Sequence, residues 1–90
     1  MNQNSEKKMT IVDVRTPGEF FSAHADGAVN IPLNELPSKL DYLRSIEGTI
    51  VLCCASGGRS ASATTFLVQN GFSNVTNAGP WYVAQNMLVG

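Results

Sequence analysis

The stretch Thr49-Ile50-Val51-Leu52-Cys53-Cys54 is a continuous apolar run with no polar alternation. A strand of this kind has to be covered on both faces, because its side chains point alternately to either side of the sheet. A parallel sheet with helices packed on each face meets that condition; a sheet with one face in water does not. The flanking sequence alternates accordingly. Thr10-Ile11-Val12-Asp13-Val14 is a short β-branched run, and Thr16, Pro17 and Glu19 form the capping-box pattern that starts a helix reaching about Ala23. Residues 24–27 read as a turn and 28–31 as a second strand stopped by Pro32. Leu36, Leu40 and Leu43 recur at helical spacing, which predicts a helix over 34–46 with Pro37 in its first turn. After the central run, Ala55-Ser56-Gly57-Gly58 is a Gly-rich loop and 59–70 a helix ended by Gly71, with Phe72 packing back on it. Asn74-Val75-Thr76 is the last strand, and 77–80 lead into a helical turn over 81–87. The predicted fold class is α/β, a small parallel β-sheet flanked by helices on both faces.

A chain of 90 residues has room for one such domain and not for a separate cofactor domain. Residues 1–9 are expected to form a flexible arm and 10–90 the domain. Six Lys and Arg against seven Asp and Glu leave a net charge of −1, with no basic field for a polyanion, so no nucleic-acid partner is expected. No apolar run reaches the roughly 18 residues needed to cross a bilayer, so no membrane partner is expected either. The polar start, Met1 to Lys8, has no secretory pattern; the expected location is cytoplasmic, or periplasmic or exported if a leader has been removed. One His and no Cys-x-x-Cys pair argue against a metal site, and adjacent Cys53 and Cys54 are expected as free thiols on opposite faces.

Cys54 ends the apolar strand, immediately before a Gly-rich loop that opens a helix. Loop N–H groups, the helix N-terminus and close backbone approach at the glycines all favour a thiolate there, on the sheet edge where open parallel sheets bind ligands. Two readings of Cys54 stay open on the residues alone, an activated nucleophile and an inert buried filler. The loop lacks the Lys of a nucleotide-binding Walker sequence. Cys53 is expected in the core, His24 as a turn-stabilising residue, and Phe20, Phe21 and Phe66 as core; Trp81 and Tyr82 suit either a pocket rim or the core.

Asp13-Val14-Arg15, Glu19-Phe20, His24, Gly27-Ala28-Val29-Asn30-Ile31-Pro32-Leu33 and Cys54-Ala55-Ser56-Gly57-Gly58-Arg59-Ser60, in this order, resemble the successive signatures of a single-domain rhodanese. The resemblance runs from about residue 10 to the end, where Asn74-Val75-Thr76-Asn77-Ala78-Gly79-Pro80 is similar to the small phage-shock-type members, which are exported. It implies a sulfurtransferase in which Cys54 carries a persulfide. On the same resemblance, a small-molecule sulfur donor such as thiosulfate is expected to be bound by Ala55, Ser56, Gly57, Gly58, Arg59 and Ser60, with a thiol or cyanide as the acceptor. No metal or organic cofactor is implied, and Asp13 and Arg15 form a structural ion pair beside the site. Four residues separate Cys54 from Arg59, one fewer than in the related dual-specificity phosphatases, and Ala55 stands where many members carry a basic residue. The alternatives are a non-catalytic sulfur-carrier or protein-binding module and a cysteine-based phosphatase or arsenate reductase.

Overall fold

The computed structural model describes residues 8–88. Its elements are β1 (Met9–Asp13), α1 (Pro17–Ser22), β2 (Val29–Asn30), a 3₁₀ segment (Leu33–Lys39), α2 (Leu40–Arg44), β3 (Thr49–Cys54), α3 (Gly58–Gln69), β4 (Val75–Pro80) and α4 (Trp81–Met87). The four strands form one sheet in the order β2-β1-β3-β4, and every neighbouring pair is parallel. The α/β architecture expected from the central run is therefore present, with β3 between two neighbours.

Alternation along β3 divides the core in two. Ile50, Leu52 and Cys54 face a cluster completed by Val12, Val14, Leu36, Leu43, Ala63, Leu67 and Phe72, which brings the 3₁₀ segment, α2 and α3 onto one face. Val51 and Cys53 face the other cluster, with Ile11, Ala25 and Ala84 and the half-buried Trp81 and Met87 of α4. Every residue of β3 after Thr49 is buried, as a strand covered on both sides must be. The α3 C-terminus closes as expected: Gly71 takes φ +92° and the Phe72 N–H reaches Leu67 O at 3.0 Å.

Several expectations need correction. Residues 34–46 are not one α-helix; they form the 3₁₀ segment followed by the short α2. In an α-helix the Pro37 ring would crowd the carbonyl four residues back, Leu33 O, so the chain keeps the tighter pattern, with the Glu35 N–H on Pro32 O at 2.8 Å. The leucines still face the core, with Leu36 and Leu43 buried. The last strand runs on to Pro80, beyond the three residues expected. Between Leu52↔Asn77 and Cys53↔Gly79 the register shifts, making Ala78 the extra residue of a bulge. The Asn-Ala-Gly sequence that reads as a loop builds this bulge: Asn77 Oδ1 accepts the Gly79 N–H at 2.9 Å. Phe21 is not core; it is 82% exposed, because α1 buries no residue and lies beyond the covered faces of the sheet. The expected arm, 1–9, falls outside the described residues except for Lys8 and Met9, and Met9 already pairs with Thr49 in the sheet.

These positions differ in what truncation removes. Leu43→Ala should cost about 2–5 kcal/mol in urea unfolding, whereas Phe21→Ala should stay within about 0.5 kcal/mol. Equal losses would contradict the placement of α1.

Candidate active site around Cys54

The C-terminal ends of β1 and β3 meet at one edge of the sheet, and the side chains there are polar in an ordered way. Asp13 is fully buried and Arg15 nearly so. Arg15 Nη2 donates to Asp13 Oδ2 at 2.7 Å, and Arg15 Nε donates to Oδ1 and Oδ2 at 3.0 and 3.1 Å. Arg15 Nη2 also reaches Ala23 O at 2.7 Å, which ties the segment after α1 to the sheet. The hydrogen bond to Asp13 raises the Arg15 pKa despite the cost of burial. Its guanidinium lies 5.5 Å from the Trp81 ring, so Trp81 packs over this ion pair while Tyr82 stays exposed. Asn30 Nδ2 donates to the carbonyls of Asp13 and Arg15 at 3.0 Å each, joining β2 to the same framework.

The two cysteines occupy opposite environments, as their alternation requires. Cys53 lies in the α4-side cluster; burial, and then the neighbouring Asp13 carboxylate, push its thiol up to about 12. Cys54 faces the N-terminus of α3 and is only 1% exposed. Its Sγ accepts the Gly57 N–H at 3.0 Å and the Ser60 N–H at 3.4 Å, and Ser60 Oγ lies 3.5 Å away. In the thiol form Cys54 donates to Ser60 Oγ, whose own proton goes to Gly57 O at 3.1 Å. When the thiol ionises, the same hydroxyl can turn and donate to sulfur. Burial raises the Cys54 pKa, but donors from the Ser60 hydroxyl and from the Ser60, Gly57 and Ser56 backbone outweigh it, and the thiol lies below its ordinary value.

Glycine is needed at position 57 for a specific reason. Gly57 is the N-cap of α3 with φ +108°, and this turn aims its N–H at Sγ. A Cβ there would lie 3.7 Å from Gly79 Cα, an ordinary contact, so the constraint is the backbone angle and not lack of space. Of the other residues assigned to the loop, Ala55, Ser56 and Gly58 are exposed and Ser60 is buried. Arg59 is not free at the site. Its Nη1 and Nη2 donate to Glu19 Oε1 and Oε2 at 2.8 and 3.0 Å. Glu19 is a site-edge residue to which the sequence assigns a helix cap and a place in the family signature but no role at the loop; it also performs the cap, Oε1 accepting the Thr16 N–H at 3.0 Å. The hydrogen bond from Arg59, then that from the Thr16 backbone, lowers its pKa to about 2. His24 stands apart from the loop: its Nδ1–H donates to Phe20 O at 2.7 Å and its ring stacks on Phe20 at 3.7 Å, as a turn-stabilising residue does. Among the described residues no three or more His, Cys, Asp and Glu side chains gather at one point, and no helix is long and apolar enough to cross a membrane.

A buried thiol ringed by N–H donors at a helix N-terminus is built to hold negative charge on sulfur. Comparison with known proteins shows which family and which folds this chain is similar to. The family described as "Rhodanese-like domain" matches residues 1–78. Thiosulfate sulfurtransferase 16, chloroplastic, of Arabidopsis thaliana is 39% identical over 84 residues, covering 81% of this chain and 70% of that protein. Thiosulfate sulfurtransferase PspE of Escherichia coli K12 is 33% identical, covering 76% of this chain and 66% of that protein. Among solved structures, a rhodanese with anions from E. coli superposes with a TM-score of 0.76 at 30% identity, covering 84% of this chain and 91% of that one.

Two titrations test this geometry. The ultraviolet thiolate absorbance lost in Cys54→Ser should titrate with a midpoint below the ordinary thiol value of about 8.5, and Ser60→Ala should move that midpoint upward. A midpoint at or above the ordinary value would show that the loop donors do not act on this sulfur. The Glu19 carboxylate is depressed in the folded chain, so its contribution to stability is complete above its unfolded value of about 4.3 and is lost as pH falls toward about 2. The stability curve of Glu19→Gln should therefore be flatter than that of the unmodified protein over this acid range.

Proposed function

The chain belongs to the rhodanese-like domain family, and from that premise we propose that it is a sulfurtransferase whose nucleophile is Cys54, taking sulfane sulfur from thiosulfate or a similar donor. The observation that carries this reading is the convergence of the Gly57 and Ser60 N–H groups on Cys54 Sγ, in a loop with four residues between Cys54 and Arg59. The Cys54 thiolate attacks the outer sulfur of thiosulfate; the new S–S bond forms as the bond to the sulfonate sulfur breaks, and sulfite leaves with the electron pair. The enzyme is left as a Cys54 persulfide anion. In the second half-reaction cyanide, or an acceptor thiolate, attacks the terminal sulfur and Cys54 departs as thiolate, giving thiocyanate or a new persulfide.

The loop serves both half-reactions in the same way. Charge sits on sulfur before and after each transfer, and the Gly57 and Ser60 N–H groups offer it fixed donors in place of water, as an oxyanion hole does for oxygen. The Ser60 hydroxyl adds one donor that can follow the charge. Ala55 supplies no cation beside the nucleophile. The short loop also bears on the phosphatase alternative, because it wraps closely around one sulfur and leaves little room for a tetrahedral phosphoryl group.

Cys54→Ser should abolish thiocyanate formation from thiosulfate and cyanide, whereas Cys53→Ser should keep most of it, since Cys53 faces the opposite cluster. Intact-mass measurement after thiosulfate alone should show a gain of about 32 Da, one sulfur atom, that maps to Cys54. The gain without turnover would favour the sulfur-carrier alternative. Efficient aryl phosphate hydrolysis with no detectable thiocyanate would replace the sulfurtransferase reading with the phosphatase one. Gly57→Val should impair transfer through its backbone angle, with a stability loss of about 1–3 kcal/mol.

A further inference from the structure

The pair between Glu19 and Arg59 is a link between α1 and the head of α3 that the transfer mechanism does not use. Arg59 is the sole cation among residues 54–60, and Ala55 follows the nucleophile directly. Both Arg59 and Glu19 side chains are 37% exposed, so the pair lies at the protein surface. Arg59 is the second residue of α3 and directly precedes Ser60, whose N–H reaches Cys54 Sγ. A dianionic donor approaching the sulfur thus meets a guanidinium whose charge is already balanced by a carboxylate held in two hydrogen bonds. Glu19 is itself held in place by Thr16, whose N–H and hydroxyl both donate to Oε1. A carboxylate so anchored does not swing away to release its partner at little cost.

Resting on the sulfurtransferase reading above, we propose that Glu19 is a specificity-determining residue: by pairing with Arg59 at the mouth of the loop, it keeps the loop's one cation from the donor and biases the site against dianionic donors in favour of sulfane sulfur carried on molecules of lower charge. Binding of the donor then rests on the backbone N–H groups around Cys54. These recognise the transferred sulfur and not the charge of the group that brings it. A donor such as a thiol persulfide suits that arrangement better than thiosulfate.

The test compares two donors that hand over the same sulfur but differ by one charge, thiosulfate (a dianion) and methanethiosulfonate (a monoanion), with cyanide as acceptor. Glutamine at position 19 keeps an acceptor for the Thr16 N–H and so preserves the helix cap. Glu19→Gln should lower KM for thiosulfate about fivefold or more and for methanethiosulfonate about twofold, as expected when one cation is freed near the donor, and added salt should shrink the difference. The double variant Glu19→Gln/Arg59→Gln replaces a neutral ion pair by a neutral amide pair, so its KM ratio for the two donors should return to that of the unmodified protein. An unchanged KM ratio in Glu19→Gln would overturn the proposal, as would an equal fall in kcat on both donors, which marks a merely structural role. A large rise in thiosulfate KM in the double variant would overturn it too, because Arg59 would then be a donor ligand in spite of Glu19. If the unmodified protein forms no Cys54 persulfide from either donor, the sulfurtransferase reading fails and this inference fails with it; a flat ratio with intact chemistry overturns the inference alone.

Discussion

A sulfur atom that is almost wholly withdrawn from water can carry charge only if something replaces the water, and most of the polar architecture at this edge of the sheet follows from that need. Cys54 is 1% exposed, and burial by itself would hold it as a neutral thiol. The replacement comes from the backbone. Gly57 bends through φ +108° so that its N–H points at Sγ, and α3 starts at Gly58, which brings the Ser60 N–H and hydroxyl within reach. A conventional turn would satisfy the chain but aim these donors elsewhere. Cys53 shows the opposite outcome one residue away: it is buried as deeply, and burial, then the neighbouring Asp13 carboxylate, push its thiol up to about 12.

Two ion pairs frame the loop, and their burial separates their roles. The pair of Asp13 and Arg15 is buried, with the Ala23 carbonyl accepting from Arg15 Nη2 and the Trp81 ring beside the guanidinium. Buried pairs of this type add little net stability compared with apolar packing, yet they leave a costly unpaired charge if one member is lost. Their value here is geometric, since they fix where β1 ends and where the segment after α1 lies. The pair of Glu19 and Arg59 is half open to solvent and bridges 40 positions of sequence. It joins an element that packs little against the sheet to the helix that carries the sulfur donors.

The parts of this design that could be read from sequence are those set by short-range rules. Strand alternation alone put Cys53 and Cys54 on opposite faces, and the capping box at Thr16 and Glu19 marked α1 to within a residue. The Gly-rich loop pointed to its own role because only glycine adopts such a φ cheaply. Misreadings arose where a local pattern had a second solution. Leucines at helical spacing suit a 3₁₀ segment running into a short α-helix as well as one long helix, and Pro37 selects the former. Asn77 and Gly79 are residues of turns and of bulges alike, and pairing with β3 selects the bulge. The partnership of Arg59 with Glu19 had no local signature; the signal that could have revealed it was an acid and a base both assigned to the C-terminal edge of the same sheet. Phe21 is apolar without being buried, because α1 buries no side chain.

The irregular end of β4 also bears on how the molecule meets its neighbours. A parallel sheet has two outer strands whose unpaired amides can recruit another chain. At one border β2 contributes two residues, too few to seat a foreign strand. At the other, β4 is longer, but the extra residue at Ala78 breaks its ladder and Pro80 withholds an N–H. The segment that completes the sheet beside Cys54 thereby leaves an interrupted border, which protects the domain from edge-to-edge pairing.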